Sequence, residues 1–367
     1  MLKEGIALYK ILVINFGGTS TKIAVYEDDT FVVDHVFRHS LDDMKAHSTS
    51  REQVAFRKGL ILDWLTENGY PMKDFACVAM MGGTIVEAKR SGVYLLSGKY
   101  KEGLLATYLP DEPPIHGNRI ITPITLELIG DLDIPVYVTD PPSVDEFDAV
   151  SRIVGVGGYE RRSAFHALSQ KATGRKMAKD IGKPYPECRF VVAHLGAGIS
   201  VGAHRDGKVV DVNDVGEGEG PFTPQRAGTV PTYIMLDLCY DKGLTRKETH
   251  KRIRGAAGLI GLLGTDNIIE VEQRIAAGDE YAGVVLEAMA YQIAKSIGGC
   301  VAALEGRVDA IGITGGIAYS EFIMSHIKKR VSAFAPILVY PGECENEALA
   351  LGAYRVVSGQ EQPLTLD

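Results

Sequence analysis

With 367 residues, 46% of them hydrophobic and 23% charged, the chain has the composition of a soluble globular protein and enough length for two cores. A net charge of −8 disfavours non-specific nucleic-acid binding, because a polyanion is repelled unless a basic patch intervenes, and none stands out. The five cysteines, Cys77, Cys188, Cys239, Cys300 and Cys344, lie far apart without a CxxC pair, so they read as reduced cytosolic thiols, and a zinc site is not expected. The opening MLKEGIALYKILVIN carries Glu4 where a signal peptide needs an unbroken apolar run, and no segment stays apolar long enough to span a bilayer. A cytoplasmic protein with no membrane attachment is expected.

The first predicted element is a three-stranded meander, KILVINFGGTSTKIAVYEDDTFVVDHVF at 10 to 37, and it recurs as RFVVAHLGAGISVGAHRDGKVVDV at 189 to 212. In each copy an apolar strand meets a glycine turn, a second strand, a charged turn and a third strand; Val13 aligns with Val192, Gly17 with Gly196 and Ala24 with Ala203. After the first copy, residues 51 to 70 show helical spacing, 75 to 83 read as a buried strand ending in Gly-Gly, and the prolines of 110 to 118 mark a loop. A helix over 122 to 132, a buried strand over 134 to 140 and a turn complete an α/β domain in which a meander is followed by crossover units. Residues 159 to 182 are predicted as a helical link to the second meander. Then come the loop EGEGPFTPQRAGTVP, several helices between 232 and 305, a strand over 308 to 314, a Gly-Gly turn leading into a helix, a strand over 335 to 341, and a closing helix over 345 to 359.

Three glycine elements follow predicted strands: Asn15-Phe-Gly-Gly-Thr-Ser, His194-Leu-Gly-Ala-Gly and Thr314-Gly-Gly-Ile. A hairpin needs glycine in any case. Three such elements, two of them related by duplication, point to a nucleotide held between two like domains, since glycine lets backbone N–H groups approach oxyanions. Gly315 and Gly316 before a helix would bring N–H groups and a dipole to the nucleotide. Asn15 ends an apolar strand, where an amide suits a ligand or ordered water. Lys22 either points back to the turn or faces solvent. Arg226, between glycines and prolines, suits a phosphoryl group in transfer or is a surface charge. His166 and His194 either hydrogen-bond phosphate or a carbonyl oxygen or play a structural part. Asp140, before two prolines, either helps place Mg²⁺ or substrate or simply forms a turn.

Together these stretches resemble the acetate and butyrate kinase family, within the sugar kinase, Hsp70 and actin superfamily, and the butyrate kinase branch more closely. The resemblance runs from about 10 to 360, through NFGGTSTKIAVYED, VDEFDAVSRIVG, ERRSAFHALSQKA, VVAHLGAGISVGAHRDGKVVDVND, GPFTPQRAGTVP, EAMAYQIAKSIG, VDAIGITGGIAYS and APILVYPGECENEALALGA. It implies two duplicated RNase H-like α/β domains with mixed sheets flanking a nucleotide cleft, the first over 1–150 with 343–367 and the second over 151–342. It implies transfer of the ATP γ-phosphoryl group to a short-chain carboxylate, such as butyrate or a branched acid, giving an acyl phosphate and ADP, with Mg²⁺. By motif, Asn15, Gly17, Gly18, Thr19, Ser20 and Lys22 fall at the phosphates, with Asn15 and Asp140 at the metal. Gly196, Gly198, Thr265, Asp266, Gly315 and Gly316 fall on the nucleotide, and Arg226, His194, His166 and Asp140 at the reacting groups. Domain closure over the nucleotide and a homo-oligomer, dimeric or larger, are further expectations of the resemblance.

The sequence also departs from the family pattern. Gly18 stands where serine is usual, and Met81 where an arginine precedes Gly82-Gly83. The acceptor loop reads His116-Gly117-Asn118-Arg119, and Asn267 and Ile269 replace the aspartate and arginine expected to hold the nucleoside. A catalytically weakened nucleotide-binding paralogue with a sensing or regulatory role is therefore the alternative; GPFTPQRAG argues against a filament former.

Overall fold

A computed structural model describes residues 8–83, 87–114, 117–216 and 218–366. The chain divides into two compact units, Met1–Val144 with Cys344–Asp367, and Asp145–Glu343.

The first unit is built on a six-stranded sheet in the order β3-β2-β1-β4-β6-β5. Its strands are β1 (Lys10–Phe16), β2 (Ser20–Glu27), β3 (Thr30–Arg38), β4 (Cys77–Met80), β5 (Val93–Leu95) and β6 (Val136–Thr139). The meander pairs antiparallel, whereas β1, β4 and β6 run parallel. Central β1 buries every residue after Lys10, as expected for a strand covered on both faces. The helix Ser50–Glu67 opens on a capping box between Thr49 and Glu52. The closing helix Glu345–Val357 packs on β1 and β4.

The second unit repeats the plan on five strands, β11-β10-β7-β8-β9: β7 (Arg189–Leu195), β8 (Ile199–Arg205), β9 (Lys208–Val212), β10 (Ala310–Gly315) and β11 (Ile337–Pro341). Strands β7, β8 and β9 again form the meander, and β10 and β11 continue it in parallel. Even the detail is duplicated. Both meanders carry a register shift in the second pairing, at Val25/Tyr26 and at Ala203/His204. Both second turns open on a left-handed aspartate, Asp28 at φ 54° and Asp206 at φ 53°. One sheet face is covered by the helix Glu280–Ala303, whose Leu286, Met289, Ile293 and Ile297 form one buried stripe. The helix Ala167–Ile181 covers the other, through Met177 and Ala178 against Phe190 and Val192. The mixed α/β architecture expected from the duplication is present.

Three local expectations need correction. The link at 159–182 is helical only over Ala167–Ile181. Upstream, Arg161 is pinned to Ser151 O, Val212 O, Asp211 and Glu219, which holds that segment out of a helix. After β10 the chain makes a 3-10 turn, Gly316–Tyr319, and the regular helix begins at Glu321 under a Ser320 cap. Finally, β5 was not foreseen; it lies antiparallel on β6 at the sheet edge.

Candidate functional site

In the first unit the register aligns Ile14, Met80 and Val138 across three parallel strands. Asn15, Met81 and Asp140 therefore lie at the carboxyl edge of these parallel strands, where α/β sheets carry ligands. Two strand spacings, about 10 Å, separate the β1 and β6 backbones. Asn15 is 4% exposed and its amide donates to Glu345 Oε2 at 2.8 Å and to Asn346 Oδ1 at 3.3 Å. Lys22 is its direct cross-strand partner, on the same sheet face. Asp140 is fully buried at φ 40°. Its N–H donates to Gly92 O and its Oδ1 accepts from Gly92 N–H, both at 2.8 Å, a double clamp that fixes the carboxylate.

The turn Gly17–Ser20 is closed by Gly17 N–H donating to Ser20 O at 3.0 Å, and Gly18 and Thr19 at its tip are exposed. Arg57, which the sequence pattern does not single out, lies beneath that turn at 1% exposure. Met81 is partly exposed at the end of β4. Asn118 Nδ2 reaches Gly82 O at 3.4 Å, which ties the 117–119 loop to that strand end; His116 lies outside the described residues.

The second unit gathers His166, His194 and Arg226 around the Leu195–Gly198 turn. The two imidazoles stack with centroids 4.1 Å apart. Gly198 is needed for this approach: a Cβ there would lie 2.5 Å from Arg226 Nη1 and 3.2 Å from His166 Cε1. Arg226 Nη1 donates to Val215 O at 2.8 Å, and its N–H to Thr223 Oγ1 at 3.1 Å. Thr223 Oγ1 itself donates to Ala197 O at 2.8 Å. The loop that bears the arginine is thus fastened to the turn it faces.

Burial pulls the His194 imidazole down to about 4. Burial, then the neighbouring His194 and Arg226, hold His166 well below its ordinary value. Both rings are neutral at pH 7.

A buried hydrogen-bond chain runs from Tyr185 to His166. Tyr185 Oη lies 2.7 Å from His204 Nδ1, and His204 Nε2 lies 3.0 Å from Gln170 Oε1. Gln170 Nε2 donates to Ser200 Oγ at 2.8 Å, and Ser200 Oγ lies 2.9 Å from His166 Nδ1. Because an amide oxygen only accepts, His204 carries its proton on Nε2. The Ser200 hydroxyl accepts from Gln170, and donating its own proton to His166 Nδ1 is the arrangement that leaves that hydroxyl proton with a partner in the chain. In that arrangement neutral His166 holds its proton on Nε2. His194 Nδ1 is fixed separately, 2.8 Å from Ser169 Oγ. Sequence reasoning passed over Ser169, Gln170, Ser200 and His204. The available signal was the placing of Ser200, Gly202 and His204 on alternate positions of a strand buried throughout except Arg205.

The remaining predicted residues are spread along the same unit. Gly315 ends β10 and Gly316 follows it; β10 pairs in parallel with β7 so that Thr314 sits opposite His194. The turn they open ends at Tyr319, which with Glu272, Ile275, Glu321 and Phe322 lines a cavity of about 390 Å³. Asp266 accepts from Gln225 Nε2 at 2.7 Å, beside Arg226, and Thr265 donates to Glu270 at 2.7 Å. Asn267 is the N-cap of the helix Ile268–Ala276, its Oδ1 accepting from Ile269 N–H at 3.0 Å, and Ile269 itself is exposed. Among the described residues, no group of three or more His, Cys, Asp or Glu gathers as a metal ligand set, and no helix is long and apolar enough to cross a membrane.

Comparison with solved structures finds acetate kinase from Porphyromonas gingivalis at 18% identity and TM-score 0.77, over 95% of this chain and 100% of that one. Propionate kinase from Francisella tularensis matches at 18% and 0.73, over 94% and 98%. Acetate kinase from Entamoeba histolytica matches at 15% and 0.75, also over 94% and 98%. At these identities the likeness establishes the two-domain kinase fold. The sequence model described as the acetokinase family matches residues 153–361, and since that is more than half of its length, the chain belongs to the acetokinase family.

Proposed function

We propose that this chain transfers the γ-phosphoryl group of ATP to a short-chain carboxylate of the butyrate or branched-acid type, reversibly. The observation that carries this is the arrangement at Gly198, where neutral His166 and His194 stack beside Arg226 with no side chain between, in a chain of the acetokinase family. Phosphoryl transfer to a carboxylate needs no general base, because the acceptor oxygen is already a nucleophile. It attacks γ-phosphorus as the bond to the β–γ bridging oxygen breaks and ADP leaves. The protein's task is alignment and charge compensation. Arg226 supplies the compensating cation, and the His166 Nε2–H donates to an equatorial oxygen. The Gly17–Ser20 turn with Asn15 and Lys22 holds phosphates, and Gly315, Gly316 and the Tyr319 cavity take the nucleoside end.

The donor set fits Mg²⁺, which binds through one or two carboxylates plus substrate phosphates and does not require a protein cage. Asp140, with Asn15 at the same sheet edge, would hold it, and the ion would neutralise phosphate charge. We further propose a cytoplasmic homo-oligomer.

A second reading, a weakened nucleotide-binding paralogue, is favoured by Met81 and by Asn267, whose side chain is occupied in capping a helix. Trapping acyl phosphate as hydroxamate, with ATP, Mg²⁺ and acids from acetate to branched and aromatic ones, separates the two. Product with a four- or five-carbon acid supports the kinase. ATP binding by calorimetry with no hydroxamate from any acid would leave the paralogue.

A further inference from the structure

The turn Gly17–Ser20 stands on a buried cation. Arg57 projects from the helix Ser50–Glu67 to the underside of the turn, where Nη2 donates to Gly18 O at 2.9 Å and Nη1 to Ser20 O at 3.1 Å and Gly17 O at 3.4 Å. Gln53 Oε1 and Thr21 Oγ1 accept from the same guanidinium at 3.1 and 3.4 Å, and the Phe16 ring lies 5.5 Å from Cζ. Every partner is neutral. Among the described residues no carboxylate comes within salt-bridge distance of Arg57, and its Nε has no hydrogen-bond partner. The nearby imidazole of His39, pushed down to about 4 by burial and then by Arg57, is neutral too. A charge out of water is costly unless an opposite charge compensates it, so a cation here without one calls for an explanation.

The geometry supplies it. In a trans peptide the C=O and the following N–H point in opposite directions. With the Gly17 and Gly18 carbonyls drawn inward to Arg57, the N–H groups of Gly18 and Thr19 face outward. Neither donates to any acceptor among the described residues, and both residues are exposed at the tip of the turn. Successive outward N–H groups form an anion-binding concavity.

We propose that Arg57 is a positioning residue of the phosphate site: it orients the Gly18 and Thr19 N–H groups into an oxyanion cradle and lends that cradle a buried positive charge whose counter-ion is the polyphosphate. The idea rests on reading this turn as phosphate-holding, and it accounts for how the turn works with Gly18 in place of a hydroxyl donor. The charge lies behind the peptide planes, so it strengthens binding in proportion to ligand charge without touching the ligand.

Two measurements test it. Adding inorganic pyrophosphate to the intact protein should move the Gly18 and Thr19 amide resonances more than those of the Leu195–Gly198 turn; unmoved Gly18 and Thr19 amides overturn the cradle. Dissociation constants for ATP, ADP and AMP are then compared in wild type, Arg57→Lys and Arg57→Met. Arg57→Met should lose about a hundredfold for ATP and less than tenfold for AMP, while Arg57→Lys keeps most of the wild-type ratio. Equal losses for all three nucleotides, or a ratio collapsed in Arg57→Lys as well, overturn the charge role. Should Arg57→Met not fold, the Lys variant and the pyrophosphate titration still decide. If hydroxamate forms with silent Gly18 and Thr19 amides, this inference fails and the kinase stands. Shifted amides without hydroxamate give the reverse.

Discussion

Single residues separate what the fold requires from what the chemistry wants. At Gly17 a Cβ would lie 2.7 Å from Ser20 Oγ, so the serine hydroxyl would have to turn away, whereas nothing lies within 4 Å of a Cβ at Gly18 and its φ is not positive. Gly18→Ser should therefore fold as well as wild type, within about 0.5 kcal/mol, and bind ATP several-fold more tightly by adding a hydroxyl to the cradle. Calorimetry checks both halves, and weaker ATP binding in a stable variant would show the turn does not face phosphate. Met81→Arg addresses the acceptor. The side chain is partly exposed at the end of β4, so an arginine can extend beyond the sheet. Kcat/KM for the acid should rise about tenfold or more if a charge is missing there; no rise would assign that role to another cation, with Arg119 on the adjoining loop the first to examine. Asn15, His194 and Arg226 were legible in the sequence because a polar residue ending an apolar strand, or framed by glycines, is conspicuous. Arg57 was not, because an arginine in an amphipathic helix looks like part of a solvated face. Only the packing of that helix beneath a turn forty residues earlier turns it inward.

Between elements, β8 and the helix Ala167–Ile181 meet through polar side chains where hydrophobic ones would be expected, and that seam carries the Tyr185–His204–Gln170–Ser200–His166 chain. The Gln170 amide oxygen also faces the Cα–H of Gly202, where a Cβ would collide with it, a contact suited to oxygen and not to NH₂. Ser200→Ala removes the proton donor to His166 Nδ1. The imidazole should then populate the Nδ1–H tautomer, visible in its ¹⁵N shifts, and kcat should fall about tenfold while KM for ATP changes less than twofold, since one hydrogen bond is worth about 1 kcal/mol. Wild-type His166 protonated at Nδ1, or a tautomer unchanged in Ser200→Ala, would mean the chain runs the other way or does not matter. The strands and most helices followed from periodicity, whereas the start of this helix did not. Its first turn reads as helical in sequence, but Arg161 binds four partners upstream, and tertiary contacts outweigh a local propensity of a few tenths of a kcal/mol per residue.

On the scale of the whole molecule, the duplication keeps the order and direction of five strands, β5 being an addition to the first unit, and is unequal in content. The first copy puts a buried cation under its glycine turn, and the second puts neutral imidazoles beside its own. Both choices leave histidines buried and uncharged. His39 in the first unit and His194 in the second are each lowered to about 4, mainly by burial, and His166 and His204 lie well below the ordinary value. Each binds a proton more weakly folded than unfolded. Above pH 6.5 both states are neutral at these sites and stability does not depend on them. Between about 6.5 and 4 the unfolded chain takes up protons that the folded chain refuses, so stability falls as pH falls. His39 and His194 should each cost about 2 to 3 kcal/mol by pH 4, and because they belong to different units, both units weaken in the same window. The hydrogen-bonded carboxylates Asp43 and Asp309 have lowered values and contribute their own loss only below about pH 4. The denaturation midpoint should thus be level from pH 8 to 7 and drop steadily from pH 6.5 to 4.5, with a shallower drop in His39→Gln, which keeps a donor near Thr21 Oγ1. A midpoint level down to pH 4.5 would mean that these imidazoles accept protons in the folded protein, and neutral His166 and His194 could then no longer be part of how the site receives a phosphoryl group.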